Sequence, residues 1–210
     1  MVNNISTHHT FFYREKEHFD YMLDTVLPGL ASQAKKSGKK VLRIWCSASS
    51  SGEQPYTLAM LLCEYFKSDL ASWDVRVLAT DISNDILETA KKGIYDDGKV
   101  SQLPKELKNR YLKKLPENKW EVNNKIKELV LFRRLNLMRQ EFPFRGKFQV
   151  IFSRNVMIYF DKPTRQSLIK RYHRYMEGGY LFIGHSETLG RNNNLYRFLK
   201  PGVYRKEPIN

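Results

Sequence analysis

The chain predicts an α/β protein organised around one mostly parallel sheet, and three observations carry that expectation. Short apolar runs alternate with longer amphipathic segments along the chain. The first run ends in a loop of small residues, Ser47-Ala48-Ser49-Ser50-Ser51-Gly52, that opens onto a helix. The C-terminal stretch YRFLKPGVYRK sets Pro-Gly between two apolar arms, so an antiparallel hairpin closes the sheet at one edge.

The elements follow in order. Residues 16–36 predict a helix with Phe19, Met22, Leu23, Val26 and Leu27 on one face, broken or ended at Pro28-Gly29. Lys39–Ala48 is short and apolar, as a buried strand should be. Ser50 or Ser51 then caps a helix that has Pro55 in its first turn and runs through Phe66. Trp73–Ile82 is a second strand. Asn84–Lys92 is a helix capped by Ser83 and ended by Gly93. Residues 96–128 are polar and lysine-rich, with helical turns around 104–113 and a small hairpin beginning at Trp120-Glu121-Val122. Val130–Leu137 and Lys147–Phe152 are strands three and four. Pro163–Met176 is an amphipathic helix with Leu168, Ile169, Tyr172 and Met176 inward. Gly178–Gly184 is the fifth strand.

The 210 residues fit a single domain, and 41% hydrophobic content is enough for a core. No apolar run reaches the ~18 residues of a membrane span, and the N-terminus has no apolar core of the signal-peptide kind. Two cysteines, Cys46 and Cys63, argue against a disulfide framework. A cytoplasmic, monomeric protein is expected. The formal charge of +14 implies an anionic partner or a solvated basic surface.

In an open parallel sheet, ligands bind at the carboxyl ends of the strands. Those ends carry the small-residue loop, Asp81, Asn136, Ser153-Arg154-Asn155 and His185-Ser186-Glu187. An acid ending the second strand can accept hydrogen bonds from both hydroxyls of a ribose; the alternative for Asp81 is to cap the next helix, a task Ser83 already fits, so ribose binding is the favoured reading. The loop lacks both GxGxxG and the Lys-Ser/Thr of a P-loop, so a nucleoside ligand suits it better than a triphosphate. His8-His9 is a poor metal pair because neighbours in an extended chain point apart, and no metal site is expected. His185, Ser186 and Glu187 lack a GxSxG elbow, so His185 is expected under a cofactor edge or as a satisfied core residue.

WCSASSSGEQPY, ATDIS with ILETAKKGIY, SRNVMIYFDKPTRQ and GYLFIGHSE, preceded by STHHTFFYRE, resemble the signature stretches of the chemotaxis-receptor glutamate methyltransferases of the CheR type. The resemblance spans residues 6 to about 205, in the family's order. It implies a Rossmann-like sheet with helices on both faces, S-adenosyl-L-methionine (SAM) as cofactor and S-adenosyl-L-homocysteine as product. Its implied substrate is the glutamate side chains of a chemoreceptor's cytoplasmic helical bundle, with neither nucleic acid nor membrane insertion involved. By motif, Thr10 and Arg14 line the cofactor and the substrate side, with His8 a further hydrogen-bond donor. Ala48 and Glu53 lie beside the methionine and ribose portion, and Asp81 is the ribose acid. Asn136 and Leu137 flank the adenine. Arg154 and Asn155 sit near the sulfonium, and Tyr159 near the incoming carboxylate. Arg14 and Tyr159 are the catalytic pair, orienting a carboxylate that needs no base.

The chain departs from the family pattern at His8, where Asn is usual, and at Gln54, where a second acid is usual. Its segment from Leu112 to Lys127 looks shorter than in forms that dock on a receptor's C-terminal peptide. One catalytic domain is expected over residues 1–210, with a small inserted subdomain at about 112–130 and without the family's N-terminal helical domain. Lys91, Lys92, Lys105, Lys108, Arg110, Lys113 and Lys114 are the first candidates for a face that steers an acidic substrate. Two other readings share the cofactor: a SAM-binding adaptor without catalysis, and a methyltransferase acting on nucleic acid.

Overall fold

The structure is a computed structural model that describes residues 10–190 and 193–206. Five parallel strands form its centre: β1 (Val41–Cys46), β2 (Asp74–Asp81), β6 (Val130–Arg134), β7 (Phe148–Ser153) and β8 (Met176–Ile183). The C-terminal hairpin, β9 (Tyr196–Lys200) and β10 (Val203–Lys206), adds two antiparallel strands beside β8. The order is β6-β2-β1-β7-β8-β10-β9, so strand order reverses between β1 and β7. That reversal opens a crevice above their carboxyl ends.

Alternate residues along each strand face opposite layers. Ile44, Cys46, Val77, Ala79 and Phe152 join one buried cluster with α1 (Lys16–Tyr21), α2 (Leu27–Ser37) and α3 (Glu53–Phe66). Trp45, Ile151, Leu181 and Ile183 join the other with α8 (Lys162–Arg174). Cys46 and Cys63 are both buried free thiols. Among the described residues, no helix is long and apolar enough to cross a membrane.

Three local expectations are corrected. Pro28-Gly29 does not end the first helix: a π-helical turn at Met22–Val26 leads into α2, with Pro28 in its first turn. A proline interrupts the regular α bonding pattern, and the π-helical turn directly before Pro28 is where that pattern gives way while the helix continues. Neither Ser50 nor Ser51 caps α3. Gly52 does so with φ 98°, while Ser51 Oγ donates to the Glu53 carboxylate at 2.8 Å. A Cβ at Gly52 would also lie 2.9 Å from the Tyr95 hydroxyl. The small hairpin does not begin at Trp120-Glu121-Val122, which lie in its second strand: β4 (Leu112–Lys114) and β5 (Lys119–Val122) pair antiparallel, and β3 (Ile94–Asp96) adds to β5 as the third strand of a separate small sheet. By contrast α4 (Asn84–Lys92) runs as expected, with Ser83 Oγ accepting from the Ile86 N–H and Gly93 at φ 64°.

Candidate active site

The crevice holds a cleft of about 670 Å³. Its floor is the loop after β1. The Ser47 N–H donates to the Phe152 carbonyl on β7 and the Ser49 N–H to the Thr80 carbonyl on β2, each within 2.9 Å. The loop thus lies across both neighbouring strand ends, with little side chain above it. Beneath, the fully buried Tyr172 of α8 joins Ser47 Oγ at 2.8 Å and Ser153 Oγ at 2.9 Å, bracing β1 against β7.

Asp81 stands at the end of β2. One carboxylate oxygen accepts from the Ser50 N–H at 2.9 Å and the other from the Ser83 N–H at 3.2 Å. Asp81 lines the cleft, and a carboxylate oxygen can accept more than one hydrogen bond. Beyond it, Ile82, Leu137 and Met138 form an apolar wall. Asn136 holds the turn there, its side-chain oxygen accepting from the Met138 N–H at 2.8 Å. Thr10, Arg14, Asn155, Ile158 and Tyr159 surround the opposite end.

The structure therefore gathers Thr10, Arg14, Ala48, Asp81, Asn136, Leu137, Arg154, Asn155 and Tyr159 around one cleft. His8 lies outside the described residues. Glu53 does not line the cleft; its fully buried carboxylate faces Ser51 and lies 3.2 Å from Lys99 Nζ. Lys99 in turn donates to the Thr10 carbonyl and its own carbonyl accepts from the Phe12 N–H. Glu53 thus anchors the segment carrying Thr10 rather than touching the cleft. Residue type and position could not reveal this, because Lys99 is distant in sequence and fits no motif.

Arg154 lines the cleft, but its guanidinium turns toward the N-terminal segment. It donates to Glu15 Oε2 at 3.1 Å and to the Arg14 carbonyl, and lies over the Phe19 ring at 5.4 Å. Its charge is spent on holding Arg14 in place. Glu15, His18 and His185 converge within 4.8 Å, and Glu15 pairs there with this guanidinium. His185 is exposed, so it is not a satisfied core residue, one of the two places expected for it; its ring meets His18 edge-on, centroids 4.6 Å apart.

Burial alone would raise the Glu15 carboxyl, but His18, then the Arg154 charge, outweigh it and lower it from 4.5 to about 2. A depressed carboxyl stabilises the fold above its unfolded value and loses that contribution as pH falls through the folded one. Stability should therefore decline between pH 4.5 and about 2, and Glu15→Gln should flatten that decline in denaturant titrations across the range.

Glu187 lies behind the loop after β7. Its carboxylate accepts backbone N–H groups from Gly184 at 2.6 Å, Met157 at 2.8 Å, Asn155 at 2.9 Å and Ile158 at 3.3 Å. It fixes Asn155 in a left-handed conformation, φ 55°. A Cβ at Gly184 would fall 2.6 Å from Asn155 Nδ2 and 3.0 Å from Glu187 Oε2, so any larger residue would displace those side chains. The sequence places Glu187 among the polar residues after the fifth strand and in a discounted hydrolase triad, and assigns it no role. The signal that could have found it was an acid directly after a strand end, within the GHSE stretch.

Residues 8–204 match the family model described as "CheR methyltransferase, SAM binding domain". A chemotaxis protein methyltransferase of Borreliella burgdorferi is 44% identical over 207 residues, covering 98% of this chain and 73% of the relative. A probable chemotaxis protein methyltransferase of Rhizobium etli is 36% identical over 219 residues, covering 98% and 80%. Among solved structures, the glycopeptide N-methyltransferase MtfA complexed with SAM aligns with a TM-score of 0.44 at 13% identity, over 84% of this chain and 57% of that one.

Proposed function

This chain belongs to the CheR methyltransferase family, and from that premise we propose that it methylates glutamate side chains of chemoreceptor cytoplasmic helices, forming methyl esters in chemotactic adaptation. The observation that carries the carboxylate acceptor is the titratable content of the cleft. Among the described lining residues these are Arg14, Asp81, Arg154 and Tyr159, with neither a histidine nor a second carboxylate. Asp81 is engaged by two backbone N–H groups at the other end. An amine acceptor must lose a proton; a glutamate side chain ordinarily titrates at ~4.3 and arrives at neutral pH already anionic. Residues that orient without removing a proton suffice.

SAM is the cofactor of the family domain, and the residues fit it. Asp81 offers a charged acceptor to a vicinal diol, Ile82 and Leu137 offer apolar surface to a purine, and the bare Ser47–Ser50 backbone admits an amino-acid chain. The group supplies an electrophilic methyl on a sulfonium. The protein's task is alignment, which can contribute ~7–11 kcal/mol in favourable cases. Arg14 and Tyr159 hold the acceptor carboxylate at the open end. Arg154 and Glu15 hold Arg14, and Glu187 holds the loop of Asn155 and Tyr159.

The test is to incubate the protein with methyl-labelled SAM and a receptor cytoplasmic fragment, then treat the product with mild alkali. Volatile methanol marks a carboxyl ester; alkali-stable label on protein or on nucleic acid sinks this reading. In the same assay Arg14→Ala should lower turnover by about 100-fold or more while SAM affinity stays within about threefold, the pattern of a group that acts on the acceptor. Equal losses in both would remove Arg14 from that role.

A further inference from the structure

A second cavity, of about 480 Å³, lies on the sheet beyond the cleft wall, with Leu135 lining both. It exists because the crossover between β6 and β7, residues 135–147, contains no helix. Parallel crossovers usually carry one, which covers the sheet face. Here Phe142 and Phe144 fold over Trp45 of β1, with ring centroids 5.2 and 4.9 Å away. On the β2 and β6 side the face stays open, and Leu131 is 43% exposed.

The open floor is apolar, with Leu78, Leu131 and Phe144, and its rim is cationic, with Arg43, Arg133, Arg134, Arg145 and Lys147. Among the described residues, no carboxylate lines it. Arg43 is matched outside the groove by Asp74; Arg133 and Arg134 donate to the backbone carbonyls of Phe132 and Ile82. The middle segment is different: Lys91, Lys108 and Arg110 are already paired with Glu88, Asp97 and Glu64. Arg133, Arg134, Arg145 and Lys147 thus line the groove with no carboxylate beside them in its wall, whereas the lysine-rich stretch that sequence pointed to interleaves its cations with acids.

We propose that this groove is an exosite for a second acidic, amphipathic stretch of the protein substrate, engaged while the acceptor glutamate occupies the neighbouring cleft. The inference rests on the carboxylate reading above. An apolar floor under an arginine rim complements a helix that alternates leucine-like and glutamate side chains, because guanidinium forks pair with carboxylates bidentately. Cations so exposed act mainly on encounter and on KM, and salt screens them.

The experiment uses a fluorescent helical peptide repeating Glu and Leu, the full chain, and two variants, Arg133→Glu/Arg145→Glu and Arg145→Gln. SAM affinity and thermal unfolding serve as folding controls. The double variant should weaken peptide binding about tenfold or more and flatten its salt dependence, with Arg145→Gln in between. KM for a receptor fragment should rise in parallel. Equal peptide binding by wild type and double variant overturns the proposal, as does an unchanged KM, or displacement of the peptide by an RNA oligomer at lower concentration. Charge-sensitive peptide binding in a protein that esterifies no receptor fragment would support the groove and sink the function proposed above, so the two failures are distinct.

Discussion

Replacing Asp81 with alanine is expected to weaken SAM binding by about 100-fold, since hydrogen bonds to a charged acceptor contribute about 1.5–3 kcal/mol each and two ribose hydroxyls are proposed to share this carboxylate. Asp81→Asn keeps the shape and one acceptor, and about tenfold is expected. The carboxylate has a second task, because it also receives the Ser50 and Ser83 N–H groups. Losing those should lower stability by about 1–2 kcal/mol without ligand. Calorimetric titration and ligand-free thermal unfolding, made on the same samples, separate the two effects. Binding within about threefold of wild type for Asp81→Ala would remove it as the ribose acid, whatever happens to stability.

Glu187→Gln should be the most damaging single change outside the cleft lining. One buried carboxylate accepts from Gly184, Asn155, Met157 and Ile158. The amide removes the negative charge and turns an NH₂ toward backbone donors. A loss of about 3 kcal/mol follows from charge-assisted bonds of this kind, which for a chain of this size is roughly 6–12 °C in Tm. Turnover should fall more than SAM affinity, because the loop it holds carries Asn155 and Tyr159 while Asp81 lies on another strand. A Tm within about 2 °C of wild type would show that the four contacts are not what holds the loop.

These two residues mark the limits of reading the chain unaided. Asp81 was legible: an apolar strand ended in an acid, at the sheet edge where ligands gather, and a nearby serine already fitted the helix cap. Asn136, Arg154 and Asn155 were legible the same way, as polar residues at strand ends. Glu187 and Glu53 were visible as acids, but their tasks were not. Which N–H groups a carboxylate meets depends on segments far apart in sequence. The direction of the Arg154 guanidinium was hidden likewise, since its partner Glu15 precedes it by most of the chain.

Sequence alone determined the sheet, its parallel centre and antiparallel closing hairpin, because strand period, Gly and Pro positions and a serine cap are local signals written residue by residue. It also marked which strand ends carry polar groups. Only the tertiary structure decided how those groups are divided: Asp81 open to the cleft, Arg154 and Glu53 turned away to brace the segment bearing Thr10 and Arg14, and Glu187 behind the loop. It alone decided that the helix-free crossover leaves a basic groove on the sheet. Burial, charge compensation and hydrogen-bond partnership are properties of packed neighbours, and the neighbours are chosen by the fold.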